Sequence, residues 1–275
     1  MPLDALGRRS RFSRQPTGKR IALTERDTAI LRLLYRYRYL RVSQLLAFLQ
    51  PRSEKRFVER LGDLYHETGL INRPQAQWRA FYPRSTPLIY ELSAKGRRYL
   101  SEHGDLPHRV TSLAQATAPG RAPQFEHAMM IVDALAEIEL TTRQEPDQRF
   151  VPVGEILERA PDRERLNGKS LAAPVTIQPG PLAPWLKRPF HTHLIPDGLY
   201  GIEYLIDGKK LYRFWALECE NMSPKTRSTA KRSSLALKKA AYDAFISGKG
   251  YREVWGIPNL QVRVVCRKLE KLTAR

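Results

Sequence analysis

The fold turns on one stretch, IPDGLYGIEYLIDGKKLYRFWALECEN, residues 195–221. Its two arms alternate apolar and polar residues with the period of a β-strand. Between them Asp207-Gly208 is the strongest two-residue signal for an antiparallel hairpin. Such a turn fixes the register: Ile206 faces Lys209, Tyr204 faces Leu211, Tyr200 faces Trp215, and Asp197 at the far end falls opposite Glu218. Because side chains alternate along a strand, Glu220 joins Glu218 on one face. Three carboxylates converging at the end of a hairpin repel one another unless a cation stands among them. Two kinds of cation suit the place. One is a divalent metal with oxygen ligands, Mg2+ or Mn2+. The other is a basic side chain of the segment that follows, where Lys225, Arg227, Lys231 and Arg232 are available.

Around this stretch lies a strongly basic chain. Its 275 residues carry 47 Lys and Arg against 28 Asp and Glu, a net charge of +19. That balance points to a polyanion as partner, double-stranded DNA or an acidic membrane surface, which charge alone does not separate. With 42% hydrophobic residues the chain buries a real core and is long enough for one large or two modest domains. No run approaches the eighteen or so apolar residues of a membrane span, and residues 1–20 lack an apolar signal segment, so a cytoplasmic location is expected. Cys219 and Cys266 are too few for a disulfide framework and are expected as buried thiols.

The basic excess is denser in the first 120 residues. After a basic tail (residues 1–21), Thr24 with Asp27 three residues on caps a first helix in which Ile30, Leu33 and Leu34 share a face. RVSQLLAFLQP gives a second helix ending before Pro51. Ser53 caps a third, running to Gly69, that buries Phe57, Leu61, Leu64 and Tyr65 and leaves Lys55, Arg56 and Glu59 outside. LINR and LIYELS read as strands around a basic loop with Arg73, Arg79 and Arg84, and Ser93 starts another helix. Over residues 22–103 this order resembles the winged helix-turn-helix. The resemblance implies major-groove contacts from the third helix, with Ser53, Lys55 and Arg56, and phosphate contacts from Arg79 and Arg84 on the wing.

A Gly-, Pro-, Ser- and Thr-bearing stretch at residues 104–123 reads as a linker to a second domain, residues 124–275. There FEHAMMIVDALAEIELTTR forms a helix with Ala128, Ile131, Val132, Leu135 and Ile138 as its buried stripe. Glu126, Asp133 and Glu137 share another face, read as solvated. RFVPVGEIL is expected as a strand. Residues 161–190 form a Pro-rich insertion whose structure the pattern does not give. His191 and His193, in FHTHLIPD, sit on one strand face with Asp197 at even spacing, the pattern of a zinc site.

A carboxylate at a strand end after Ile195-Pro196, a hairpin, the E-x-E of Glu218 and Glu220, and a basic helix together resemble the PD-(D/E)xK nuclease-like fold. Joined to the N-terminal helices they are similar to the replication-relaxation family, which includes MobC-type plasmid relaxases. The resemblance spans about residues 22–266. It implies an α+β chain, a winged helix followed by a restriction-endonuclease-like α/β domain with a mixed sheet. Asp197, Glu218 and Glu220 would be metal ligands for Mg2+ or Mn2+. Glu220 stands where the motif lysine belongs, and Lys238 or Lys239 in LKKAAYDAF would supply that charge from the next helix. The family's histidine-containing helix motif falls at FEHA, giving Glu126 and His127, with Phe125 in place of a first histidine. The implied activity is metal-dependent nicking at an origin of transfer or replication, with other relaxosome or mobile-element proteins, or a second copy in a dimer, as partners. Two rival readings stand beside it: a non-enzymatic DNA-binding regulator with a degenerate nuclease-like domain, and a basic adaptor on the membrane face of a secretion apparatus.

Overall fold

The computed structural model describes residues 10–80, 87–104, 106–113, 122–161, 171–221 and 235–267. The chain is α+β and divides into two units, residues 1–136 and 137–275.

The first unit runs α1 (Glu25–Tyr37), β1 (Tyr39–Arg41), α2 (Val42–Leu49), α3 (Glu54–Asp63), β2 (Ile71–Asn72), α4 (Ala76–Ala80), β3 (Ile89–Leu92) and α5 (Ala94–His103). It also takes in most of α6 (Ala122–Thr142). Three caps anticipated from sequence form. Thr24 and Asp27 close a reciprocal capping box on α1, Ser53 accepts from the Arg56 backbone, and Ser93 accepts from Gly96. Asp27 is also buried against Arg60, whose guanidinium donates to both carboxylate oxygens at 2.9 and 2.5 Å and ties α3 to α1. The third helix does not stay α to Gly69. A π-turn, Leu64–Thr68, ends it, with Gly69 at φ +66°. The core holds Ile30, Leu34, Phe57, Leu61, Leu64 and Tyr65. The strands form an antiparallel sheet ordered β1-β3-β2. Strand β1 is an addition to the sequence reading; at three residues it is too short for a period-2 signal.

Arg73 lies in the loop after β2, as read from sequence, but its side chain is engaged: it lies over the Tyr65 ring at 4.1 Å and donates to the Tyr90 hydroxyl at 3.0 Å. That loop also contains the short helix α4. Asp133 is not on a solvated face, because Arg41 donates to both its oxygens at 3.0 Å and Gln44 adds a third bond at 2.9 Å. The N-terminal segment is held too: Arg14 bonds the Tyr65 and Ile71 carbonyls, and Lys19 pairs with Asp63 at 2.6 Å.

The second unit has β4 (Gln148–Val151), α7 (Val153–Glu158), β5 (Ala173–Ile177), β6 (Phe190–Leu194), β7 (Gly198–Ile206), β8 (Lys209–Asn221), α8 (Leu235–Ser247), α9 (Gly250–Trp255) and β9 (Gln261–Arg267). Its main sheet is ordered β4-β7-β8-β9, antiparallel except for the parallel β8–β9 pair. The hairpin has the anticipated register, Ile206 against Lys209, Tyr204 against Leu211 and Tyr200 against Trp215. Asp207 and Gly208 take φ of +49° and +72°, the positive values that a two-residue hairpin turn of this kind requires. The β5–β6 ribbon accounts for part of the insertion. RFVPVGEIL is strand only as far as Val151: Pro152 lacks the N–H to continue the ladder and becomes the N-cap of α7. Helix α8 presents Ala240, Ala241, Tyr242 and Phe245 to a core with Phe214, Ala216 and Trp255. Each large side chain buried there contributes about 1.5–3 kcal/mol.

A second ion-pair network braces the sheet. Arg149 on β4 donates to Glu155 at 2.8 Å and to Glu203 at 2.9 Å, and the Tyr212 hydroxyl reaches Glu203 at 2.6 Å. Chiefly through Arg149, and against its own burial, Glu203 is pulled down to about 2 from an ordinary 4.5. A depressed carboxylate stabilises the fold above its unfolded value, and that contribution disappears as pH falls from 4.5 through about 2. Urea denaturation should therefore show wild-type ahead of Glu203→Gln at neutral pH, with the gap closing across that acid window. An equal gap at pH 7 and pH 2.5 would mean that the charge is not what Glu203 contributes.

Candidate functional site

The negative end of β8 is built by three elements. Strand β8 ends in Glu218, Cys219 and Glu220, with Glu218 and Glu220 on one face by alternation. Asp197 lies one residue before β7, where the last ladder pair is Gly198 with Leu217. Its Oδ2 accepts the backbone N–H of Cys219 at 2.8 Å, which pins Asp197 to the end of β8. Helix α8 brings Lys238 and Tyr242 over the same face, four residues and about one helical turn apart. The Lys238 ammonium donates to Glu218 Oε2 at 2.6 Å and to Glu220 Oε1 at 3.4 Å. The Tyr242 hydroxyl donates to Glu218 Oε1 at 2.5 Å.

The cation among these carboxylates is thus the ammonium of Lys238, one of the two lysines expected to act from this helix. Lys239 is exposed on the next position. Of the other partners considered from sequence, Lys225, Arg227, Lys231 and Arg232 lie outside the described residues. Glu218 is 3% exposed. Burial pushes its carboxyl above 4.5, against the opposing pull of Lys238 and Tyr242, and Asp197 adds repulsion. Burial opposes the charge on Lys238, yet Glu218, Asp197 and Glu220 outweigh it and hold the ammonium above 10.5. Tyr242 is driven up by burial and by the Glu218 charge, so it is a proton donor to Glu218. The Cys219 thiol is pushed up to about 12 by burial and by the charges of Asp197 and Glu218, which leaves it a poor nucleophile.

All three acidic groups are hard oxygen donors, the chemistry that Mg2+ or Mn2+ requires. The donor set therefore fits, although both Glu218 oxygens already hold hydrogen bonds. Among the described residues, no three His, Cys, Asp or Glu side chains are grouped so as to hold a metal ion. The longer Lys238–Glu220 contact is the looser part of the cluster. For the zinc pattern, His191 and His193 are exposed on β6, and His191 Nδ1 lies 2.9 Å from the Thr176 hydroxyl.

Other site expectations fall as follows. Lys55 and Arg56 are exposed on α3, beside the cap residue Ser53. The Arg79 backbone is in α4, and its side chain and all of Arg84 lie outside the described residues. Phe125, in the place of the motif's first histidine, packs edge-on against Tyr39 at 5.1 Å. Glu126 and His127 follow it on α6. Cys219 is buried as expected, whereas Cys266 is exposed on β9, the edge strand of the sheet. Sequence reasoning missed Tyr242 as a partner of Glu218; its spacing from Lys238 was the available signal. It also missed the Glu203–Tyr212 pair, which follows directly from the hairpin register.

Removing Lys238 leaves a buried carboxylate without its cation, a loss on the order of 3 kcal/mol for such a pair. Glu218 would then rise further. A raised folded-state value favours the fold below the unfolded 4.5 and loses that advantage as pH climbs. The deficit of Lys238→Ala should therefore be largest near pH 7 and shrink toward pH 4, and Lys238→Met/Glu218→Gln should recover most of it. A deficit independent of pH in chemical denaturation would contradict this pairing.

No helix among the described residues is long and apolar enough to cross a membrane. No curated protein and no solved structure matches the chain. The sequence profile of the family described as Replication-relaxation matches residues 31–258. That match covers most of the chain, both units included, and connects it with replication or mobile-element DNA processing. The chain belongs to the replication-relaxation family.

Proposed function

We propose that this chain binds duplex DNA of a mobile element and cuts one strand, at an origin of transfer or replication, with the carboxylate–lysine centre at the end of β8. The observation that carries the reading is Lys238 hydrogen-bonded to Glu218 and Glu220 on a sheet end where Asp197 is also anchored. A positive group among carboxylates at the rim of a sheet is suited to stabilising the charge that develops on a phosphodiester during hydrolysis.

The N-terminal unit supports the binding half. Its α1, β1, α2, α3, β2 and β3 follow the order of a winged helix-turn-helix, with the short α4 between the last two strands, and the exposed Lys55 and Arg56 on α3 suit the groove and its phosphates. In the second unit, Asp197, Glu218 and Glu220 would hold Mg2+ or Mn2+, which lowers the pKa of water and neutralises phosphoryl oxygen charge when bound. The chain's own residues do the rest. Cys219 holds Asp197 through its backbone N–H, and Tyr242 fixes the Glu218 carboxylate by donating to Oε1. Lys238, kept protonated by its acidic neighbours, carries the positive charge that meets a scissile phosphate, and Lys239 adds a second cation at the exposed position. Tyr242 is buried and firmly protonated, which argues against a tyrosine nucleophile at this centre.

Supercoiled plasmid bearing the gene's own genomic neighbourhood, incubated with protein and Mn2+ or Mg2+, tests the proposal. Wild-type should convert it to nicked circles, EDTA should stop the reaction, and Asp197→Asn and Lys238→Met should each lower the rate by about 100-fold or more. Duplex binding without nicking under any divalent metal would instead support the DNA-binding regulator.

A further inference from the structure

The β7–β8 hairpin continues past its neighbours at the end opposite the carboxylates. Strand β4 pairs with β7 only up to Tyr204, and β9 joins β8 only from Trp215 onward. Beyond Tyr204 one further backbone bond, from Leu205 to Asp147, holds the inner arm. On the outer arm the Asn259 side chain substitutes for a strand by bonding the Phe214 N–H at 3.0 Å and the Tyr212 carbonyl at 2.8 Å. The tip is therefore a two-stranded finger held at its base.

Its composition is unusual for a solvent-facing turn. Leu205, Ile206 and Leu211 are 49%, 51% and 52% exposed. Cross-strand pairing sets Leu205 beside Lys210 on one face, and Ile206 beside Lys209 with Leu211 on the other. Arg213 is exposed one step further down, over the Tyr204 ring. Each face thus presents apolar side chains next to a basic one, at the end of a stiff ribbon on a chain of net charge +19. The turn itself carries one exposed carboxylate, Asp207, and behind it a surface that is apolar on both sides and cationic at its flanks complements a ligand that is anionic outside and stacked inside. Duplex DNA has that character, and apolar wedges flanked by Lys and Arg open or kink base steps.

We propose that this finger is a DNA-distorting wedge, with Leu205, Ile206 and Leu211 entering between base pairs while Lys209 and Arg213 hold the flanking phosphates; Lys210 is paired with Glu203 at 3.3 Å. The inference rests on the duplex-binding half of the proposed function and not on cleavage. Strand β8 joins the wedge rigidly to the carboxylate end. Eight residues separate Lys210 from Glu218, about 26 Å along an extended strand. A distortion centred on the finger would fall roughly eight base pairs from the phosphate at that centre, at about 3.4 Å per base pair.

The test uses the full chain in EDTA, so that strand cleavage plays no part. Thymine reactivity to permanganate reports unstacking along a duplex from the gene's own neighbourhood, and fluorescence anisotropy reports affinity. Wild-type should bind and make one short tract hyper-reactive. Leu205→Ser/Ile206→Ser/Leu211→Ser, with an unchanged circular dichroism spectrum, should abolish the hyper-reactivity and weaken binding about tenfold. Lys209→Ala/Arg213→Ala should lower the salt dependence of binding by roughly two phosphate contacts while leaving the hyper-reactive tract in place at low salt. Wild-type binding with no hyper-reactive tract, or with one that the triple variant retains, overturns the wedge and leaves duplex binding intact. Failure of wild-type to bind duplex overturns both readings. Vesicles of phosphatidylserine and phosphatidylcholine form the last arm: capture that depends on the three apolar residues, without DNA distortion, would assign the finger to an anionic membrane surface and overturn the proposal.

Discussion

The arrangement at the end of β8 depends on one hydrogen-bonded ion pair, Lys238 with Glu218. A carboxylate 3% exposed is costly to ionise, and two more acidic side chains stand on the same strand end. At an effective dielectric near 20, two like charges 4 Å apart repel by about 4 kcal/mol. An ammonium 2.6 Å from Glu218 and 3.4 Å from Glu220 offsets that repulsion, and the Tyr242 hydroxyl satisfies the remaining Glu218 oxygen. The same contacts dictate where α8 lies. Lys238 and Tyr242 must face the strand end, so Ala241 and Phe245 turn into the core, and the small side chains Ala240 and Ala241 let the helix approach the sheet closely.

Along β8 the second unit separates two chemistries. One end gathers acidic groups around a lysine, and the other projects exposed apolar and basic side chains beyond the sheet. Between them Arg149, Glu203, Glu155 and Tyr212 form a network in which Lys210 and Arg159 add further cations to Glu203 and Glu155. That network braces the sheet. It differs from the β8 end in having a guanidinium shared by two carboxylates, whereas at the β8 end two carboxylates share a single ammonium.

Much of this was legible in the sequence, where local rules decide the outcome. Asp207-Gly208 forces a turn with two positive φ values, and the register and the face shared by Glu218 and Glu220 follow. Thr24, Ser53 and Ser93 are short polar side chains at helix starts, where backbone donors are left open. Legibility failed where partners are distant in sequence. Asp133 reads as a surface acid until Arg41, 92 residues away, is folded against it. Arg73 reads as a basic loop residue until the Tyr65 and Tyr90 rings surround it. Strand β1 and helices α4 and α7 are too short for periodicity to register, and the β5–β6 ribbon pairs residues across a twelve-residue Pro-rich gap whose Pro179-Gly180-Pro181 signals a local turn at Gly180 but not which strands it joins. The site itself was half visible: alternation gave its acids and the helix gave its lysine, while Tyr242, one turn beyond that lysine, shows itself as a partner of Glu218 only once α8 is packed on β8.

Mn2+ binding, followed by water-proton relaxation without DNA, measures the central claim most directly. If Asp197, Glu218, Glu220 and Lys238 form a divalent-cation centre, wild-type binds Mn2+, Mg2+ competes for it, and Asp197→Asn or Glu220→Gln weakens it by about tenfold or more. Binding that is absent, or indifferent to both substitutions, would contradict the account and leave Lys238 as a purely structural counter-ion.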